Sequence, residues 1–309
     1  MTLGTPPTIP PGPLLLDRVG DTPLLSVSLD GIAAGSEVLG KAEWFNPGGS
    51  VKDRAGLAMV RKAIADGRLV PGRRILEATS GNTGIALAWI GAALGYGVTL
   101  CMPENAGVGR KRVLAALGAE VVLTDPQEST DGSIREARRR VAEDPERWAY
   151  LDQYSNPANW RAHFFGTAEE IWRQTSGRLT HLVAGIGTSG TLVGTSRRLK
   201  QLDPRIEVVA VQPDSAGHAI EGLKYLPTAI LPPIYDPATH DRILEVTTEE
   251  AVAMAKDQAR RGLLLGWSAG AALVVAARVA RDRPGARVVA ILPDAAERYL
   301  GDPLWEDRP

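Results

Sequence analysis

A single cysteine, Cys101, in 309 residues leaves no disulfide framework and favours a reducing, cytosolic setting. The four histidines show no metal-ligand spacing. No apolar stretch approaches the length of a membrane span. The proline-rich start, residues 1–16, has neither a basic segment nor an apolar run of signal-peptide length, so a soluble, cytoplasmic protein is expected. Neither sign of charge is in excess: 35 Lys and Arg against 36 Asp and Glu leave a formal net charge of −1. That balance points away from nucleic acid and anionic membranes as partners. There is no solenoid period, and no low-complexity tract beyond the proline-rich arm. What is present is 44% apolar and 23% charged residues, enough for a sizeable core in two domains or one large α/β domain.

Periodicity along the chain gives strands at 22–27, 37–43, 74–78, 98–102, 120–123 and 148–151. Helices are expected after Ser50 and over 83–94, 109–117 and 133–143. The second half repeats the alternation: helices at 159–174, 191–202, 249–261 and 269–281, strands at 181–184, 206–212, 244–246 and 288–292, and an apolar run at 263–266 that reads as a short strand before the 266–270 loop. Strand, loop and helix in short succession predict βαβ units and mostly parallel sheets. Residues 1–20 read as a loose arm. The irregular stretch 213–237 is long for a connection inside a compact domain, and such loops are often functional.

Four segments carry possible chemistry. Asn46-Pro47-Gly48-Gly49 is turn chemistry, and Ser50 stands where a helix cap belongs. Lys52 then falls in the first helical turn, where the positive end of the dipole favours a neutral amine, as a Schiff-base lysine requires; taken alone, the segment is better read as carrying a solvated surface lysine. Thr79-Ser80-Gly81-Asn82-Thr83-Gly84 offers hydroxyls, N–H groups and a helix N-terminus to an anion such as a carboxylate. Gly185-Ile186-Gly187-Thr188-Ser189-Gly190-Thr191 has the dinucleotide spacing, with Asp214 near the expected acid position. Its three hydroxyls suit a terminal phosphate, so a nicotinamide or flavin enzyme stands as the alternative. Gly266-Trp267-Ser268-Ala269-Gly270 resembles a nucleophile elbow, but no His and acid follow it suitably, and Ser268 alone reads as a helix cap. Cys101 reads as a buried strand residue. Arg110-Lys111-Arg112 and Arg138-Arg139-Arg140 read as solvated helix faces.

In this order, the lysine segment and the three loops resemble the cysteine synthase family, O-acetylserine sulfhydrylases among the fold-type II pyridoxal-phosphate enzymes. The resemblance extends through 102–105, Gln153 to Asn156 with Asn159, and 298–300. Residues 169–181 and 222–227 are most similar to the B branch, although Lys224 and Tyr225 stand where that branch often has arginines, and Pro293-Asp294 where it has Cys-Asp.

The resemblance implies a two-domain α/β fold like that of the tryptophan synthase β chain, each domain a mostly parallel sheet with flanking helices. Residues 49–156 would form the smaller, mobile domain, and 1–48 with 157–309 the larger one, with hinges near 47–49 and 156–157. It implies pyridoxal phosphate as cofactor, bonded to Lys52, which is also the base. Asn82 would meet the ring oxygen O3′; Gly187, Thr188, Ser189, Gly190 and Thr191 the phosphate; Ser268 the pyridine nitrogen. Thr79, Ser80, Gly81, Thr83 and Gln153 would hold the amino-acid carboxylate. The implied reaction replaces the acetyl group of O-acetylserine by sulfide, in a homodimer. An O-phosphoserine- or thiosulfate-using sulfhydrylase, a cystathionine β-synthase and a non-catalytic binding protein of the same fold are the other readings.

Overall fold

Parallel strands buried on both faces organise the chain. A computed structural model describes residues 15–79 and 81–306. Ser80 and most of the expected N-terminal arm therefore lie outside the described residues. The strands are β1 (Leu24–Ser26), β2 (Glu37–Ala42), β3 (Arg74–Ala78), β4 (Val98–Pro103), β5 (Glu120–Thr124), β6 (Trp148–Tyr150), β7 (His181–Gly185), β8 (Glu207–Pro213), β9 (Arg242–Val246) and β10 (Arg287–Leu292). They build a six-stranded sheet in the order β1-β2-β10-β7-β8-β9 and a four-stranded sheet in the order β5-β4-β3-β6. Every pairing is parallel except that of β1 with β2. Strand β4 is buried along its whole length, as a strand covered by helices on both faces must be. Cys101 is fully buried in it, and burial pushes its thiol up to about 12.

The helices are α1 (Lys52–Ala65), α2 (Asn82–Leu94), α3 (Val108–Ala116), α4 (Ser129–Glu143), α5 (Pro157–Ala162), α6 (Ala168–Thr175), α7 (Gly190–Leu202), α8 (Thr248–Arg260) and α9 (Trp267–Asp282). Small residues let α2 and α9 sink into the cores, and α9 is buried from Trp267 to Ala277. One core gathers Leu57, Met59, Ile75, Leu87, Leu100 and Leu114 around the four-stranded sheet. Others pack Val183, Val209, Leu273 and Val288 on one face of the larger sheet, and Leu182, Leu192, Val208 and Ile291 on the other.

Three expectations need correction. The helix expected over 159–174 is interrupted by one wide π turn, His163–Thr167, between α5 and α6; such turns are often functional, and here His163 bonds Thr167 and reaches Thr191 at 3.3 Å. The run at 263–266 forms only an isolated bridge, Leu265 to Ala295, rather than a strand. Ser268 lies inside the first turn of α9, whose cap is Gly266, so it is not a capping residue. Residues 214–236 contain no helix or strand, as the sequence suggested.

Candidate active site

The carboxyl ends of parallel strands in the two sheets face a common cavity of about 540 Å³. Open α/β sheets bind ligands at such strand ends. Lys52, Thr79, Gly81, Asn82, Thr83, Gln153, Gly187, Thr188, Ser189, Thr191 and Ser268 all line this cavity. The structure thus brings together residues spread over more than two hundred positions. Of the expected site residues, Gly190 starts α7 directly behind its wall.

Lys52 owes its place to the turn before it. Gly48 closes the turn because a Cβ there would fall 2.3 Å from both Asp53 Oδ1 and Trp89 Nε1. Gly49 has φ +76°, a left-handed value that glycine adopts without strain. The Ser50 hydroxyl accepts from the Lys52 N–H at 3.3 Å, although the geometric cap of α1 is Val51. Ser50 also bridges to Asp294, which ties the lysine loop to the end of β10. Among the described residues, nothing hydrogen-bonds the Lys52 Nζ. Burial lowers its pKa, opposed by the charges of Asp294 and Glu43. Burial, more than the helix end, is what disfavours the ammonium form here.

The Thr79–Thr83 loop is braced from below. Gly81 N–H donates to Thr79 Oγ1 at 3.1 Å. Thr83 Oγ1 donates to Gln153 Oε1 at 2.8 Å, and Gln153 Nε2 donates to the Ala78 carbonyl at 2.7 Å. Gln153, on a loop seventy residues away, thereby fixes the α2 N-terminus.

The loop after β7 is equally constrained. A Cβ on Gly187 would come within 2.2 Å of the Gly222 carbonyl, and one on Gly190 within 2.0 Å of Asn159 Oδ1. Ser189 takes φ +69°, an uncommon conformation for a non-glycine residue. Among the described residues, the N–H groups of Gly187, Thr188 and Ser189 have no acceptor, and they sit at the N-terminus of α7. Unpaired N–H groups, hydroxyls and a helix end together form an anion cradle, and this one shares its cavity with Lys52. The donor set fits a phosphorylated group whose other end reaches the lysine.

The family profile "Pyridoxal-phosphate dependent enzyme" matches residues 15–294. The chain belongs to that family. It is a pyridoxal-phosphate enzyme, and the dinucleotide reading of the Gly185–Gly190 loop falls. Among its relatives, the protein is 47% identical to a cysteine synthase of Aquifex aeolicus, over 95% of this chain and 92% of the relative. It is 42% identical to cysteine synthase B of Salmonella typhimurium, over 93% and 94%. The fold superposes on a crystal structure of a cysteine synthase from Entamoeba histolytica with a TM-score of 0.90 at 35% identity, over 100% of this chain and 95% of the other.

At the cavity wall or next to it lie residues that the sequence did not mark as site residues. Arg110, read as part of a solvated helix face, is 5% exposed; it pairs with Glu221 and lies over the Tyr299 ring at 5.0 Å. Lys224 lines the wall 3.7 Å from Asp131. Asp294 is buried and bonds both Asn82 and Tyr299. The apolar periodicity that located the helices carries no trace of such contacts. The available signals were the resemblance through 298–300, the B-branch comparison at Lys224 and Asp294, and the place of Asp294 two residues past the buried strand β10.

Proposed function

We propose that this enzyme makes cysteine from O-acetylserine and sulfide, releasing acetate. The observation that carries the reading is Lys52, unpaired and with lowered proton affinity, in one cavity with a phosphate-type cradle and a second anion-binding loop. The names of the cysteine synthase relatives add the reaction class.

In this reading Gly187, Thr188, Ser189, Gly190 and Thr191 hold the cofactor phosphate, Asn82 the ring oxygen, and Ser268 faces the pyridine nitrogen. Thr79, Ser80, Gly81, Thr83 and Gln153 hold the substrate carboxylate. Pyridoxal phosphate supplies the electron sink that lets a proton leave Cα and acetate leave Cβ. Lys52 takes the Cα proton as general base and returns it once sulfide has bonded to Cβ. Ser268 cannot keep a pyridine nitrogen protonated as a carboxylate would, which suits elimination of a good leaving group over transamination. Closure of residues 49–156 over the substrate excludes water from the reacting carbon. We further infer a cytoplasmic homodimer; the lone, buried cysteine and Phe165, 70% exposed, support it.

The test is cysteine formation from O-acetylserine and sulfide by the purified enzyme, with O-phosphoserine and thiosulfate as parallel arms. Turnover with acetyl donor and sulfide that vanishes in Lys52→Ala is expected. Preference for either alternative reagent overturns the substrate assignment, and absence of activity in every arm overturns the reaction class.

A further inference from the structure

An asparagine amide has two ends alike in shape and opposite in hydrogen-bonding function, so its orientation must be set by its partners. Both ends of Asn82 are held. Its Nδ2 donates to Asp294 Oδ2 at 2.6 Å, and its Oδ1 accepts from Arg298 Nη1. Turning the amide over would set a carbonyl against a carboxylate and an N–H against a guanidinium, two repulsive contacts in place of two charge-assisted bonds.

We propose that Asp294 is a positioning residue that fixes Asn82 as a hydrogen-bond donor to whatever occupies the cavity. With its carbonyl engaged by Arg298 and one N–H by Asp294, the amide has one N–H left, and Asn82 lines the cavity beside Lys52. Only an acceptor can satisfy it, and a phenolate-type oxygen is the acceptor of that class that a pyridoxal ring offers. The inference rests on the proposed assignment of Asn82 to the cofactor.

Asp294 is itself held in place. It is 1% exposed, and Tyr299 donates its hydroxyl to the same Oδ2. Its other oxygen lies so close under Gly266 that a Cβ there would fall 2.2 Å from it. Arg298 also donates to the Gly48 carbonyl, so the second clamp on Asn82 reaches the turn that presents Lys52. The Asp294 charge in addition favours the protonated form of Lys52. One carboxylate thus addresses both the residue expected at the ring oxygen and the lysine.

Four holoenzyme variants separate the possibilities, read by the rate of cofactor loss on dialysis and by the pH midpoint of the cofactor's absorption band. Asp294→Ala releases the amide, and about tenfold faster cofactor loss is expected. Asp294→Asn keeps an acceptor for Asn82 and removes the charge; retention within about twofold of the parent, with a displaced midpoint, is expected. Arg298→Met frees the carbonyl end and is expected to follow Asp294→Ala, which keeps the test open if the alanine variant does not fold. Parent-like retention in Asp294→Ala beside rapid loss in Asn82→Ala overturns the positioning role alone. Parent-like retention in Asn82→Ala overturns the assignment of Asn82 and the inference with it. Equal loss in Asp294→Ala and Asp294→Asn, tracking their melting temperatures, shows a merely structural carboxylate and also overturns it.

Discussion

Arg54 and Glu170 meet through hydrogen bonds of 2.6 and 2.7 Å, although 116 positions separate them. Arg54 also grips Glu43 at 2.6 and 2.9 Å, while Glu170 takes a bond of 2.7 Å from the buried Lys41. Arg54 lies in the first turn of the helix that begins with Lys52. The network therefore anchors the lysine's helix to β2 and α6.

Removing one partner from such a buried network strands the others, at a cost of about 3–5 kcal/mol. Arg54→Met is expected to lose that much unfolding free energy in a denaturant titration; a loss below about 1 kcal/mol would show the network to be dispensable. The pH dependence has a definite sign. Burial alone would raise Glu170, but bonds and charges from Arg54 and Lys41 outweigh it and hold it at about 2, below its ordinary 4.5. Its contribution is fully present above about 4.5 and is lost as pH falls towards 2. Arg54→Met should therefore flatten the stability curve of the apoprotein between those values.

Lys52→Ala and Ser268→Ala should differ sharply. On the proposed assignment, losing Lys52 removes both the covalent anchor and the base, and turnover should be abolished. Borohydride reduction of the parent enzyme followed by peptide mapping should place the pyridoxyl group on Lys52. On the same assignment, Ser268→Ala removes only the bond to the pyridine nitrogen, worth about 0.5–1.5 kcal/mol, up to roughly tenfold in rate. Near-normal synthesis by Lys52→Ala would refute the assigned base.

Gly187→Ala tests the cradle. Its added Cβ would strike the Gly222 carbonyl at 2.2 Å, so the loop must shift. Inorganic phosphate should raise the melting temperature of the parent apoenzyme and leave that of Gly187→Ala unchanged. Equal phosphate protection of both proteins would place the anion elsewhere.

Two ion pairs run in opposite senses across the cavity mouth. Arg110 of α3 meets Glu221, and Asp131 of α4 meets Lys224 at 3.7 Å. Glu221 and Lys224 both belong to the irregular stretch after β8. If closure of residues 49–156 is part of the cycle, these pairs favour the closed form. The Glu221 side chain is 45% exposed, and a pair with one solvated partner contributes at most about 1 kcal/mol. Glu221→Gln should therefore raise the KM for the amino-acid substrate by up to about fivefold with little change in kcat, and the effect should shrink at high salt. Structures of the resting and substrate-bound enzyme should show the Thr79–Thr83 loop approaching Gly187; an unchanged separation would remove closure from the cycle.

The sequence by itself determined the alternation of strands and helices, because parallel strands covered on both faces must be continuously apolar and helices must repeat their apolar face. It also marked the segments that bring Lys52, Asn82, Thr188 and Ser268 to the cavity, because glycines and small hydroxyl residues between a strand and a helix leave N–H groups unpaired. Tertiary structure decided what those groups meet. Nothing local to Arg110 distinguishes a buried arginine over Tyr299 from a solvated helix face. Ser268 lies in the first turn rather than at the cap because the short stretch before it makes a single bridge to Ala295. The orientation of Asn82 depends on Asp294 and Arg298, more than two hundred residues downstream. Local pattern records burial and turn geometry; hydrogen-bond partners brought together by the packing of two sheets leave no period in the chain.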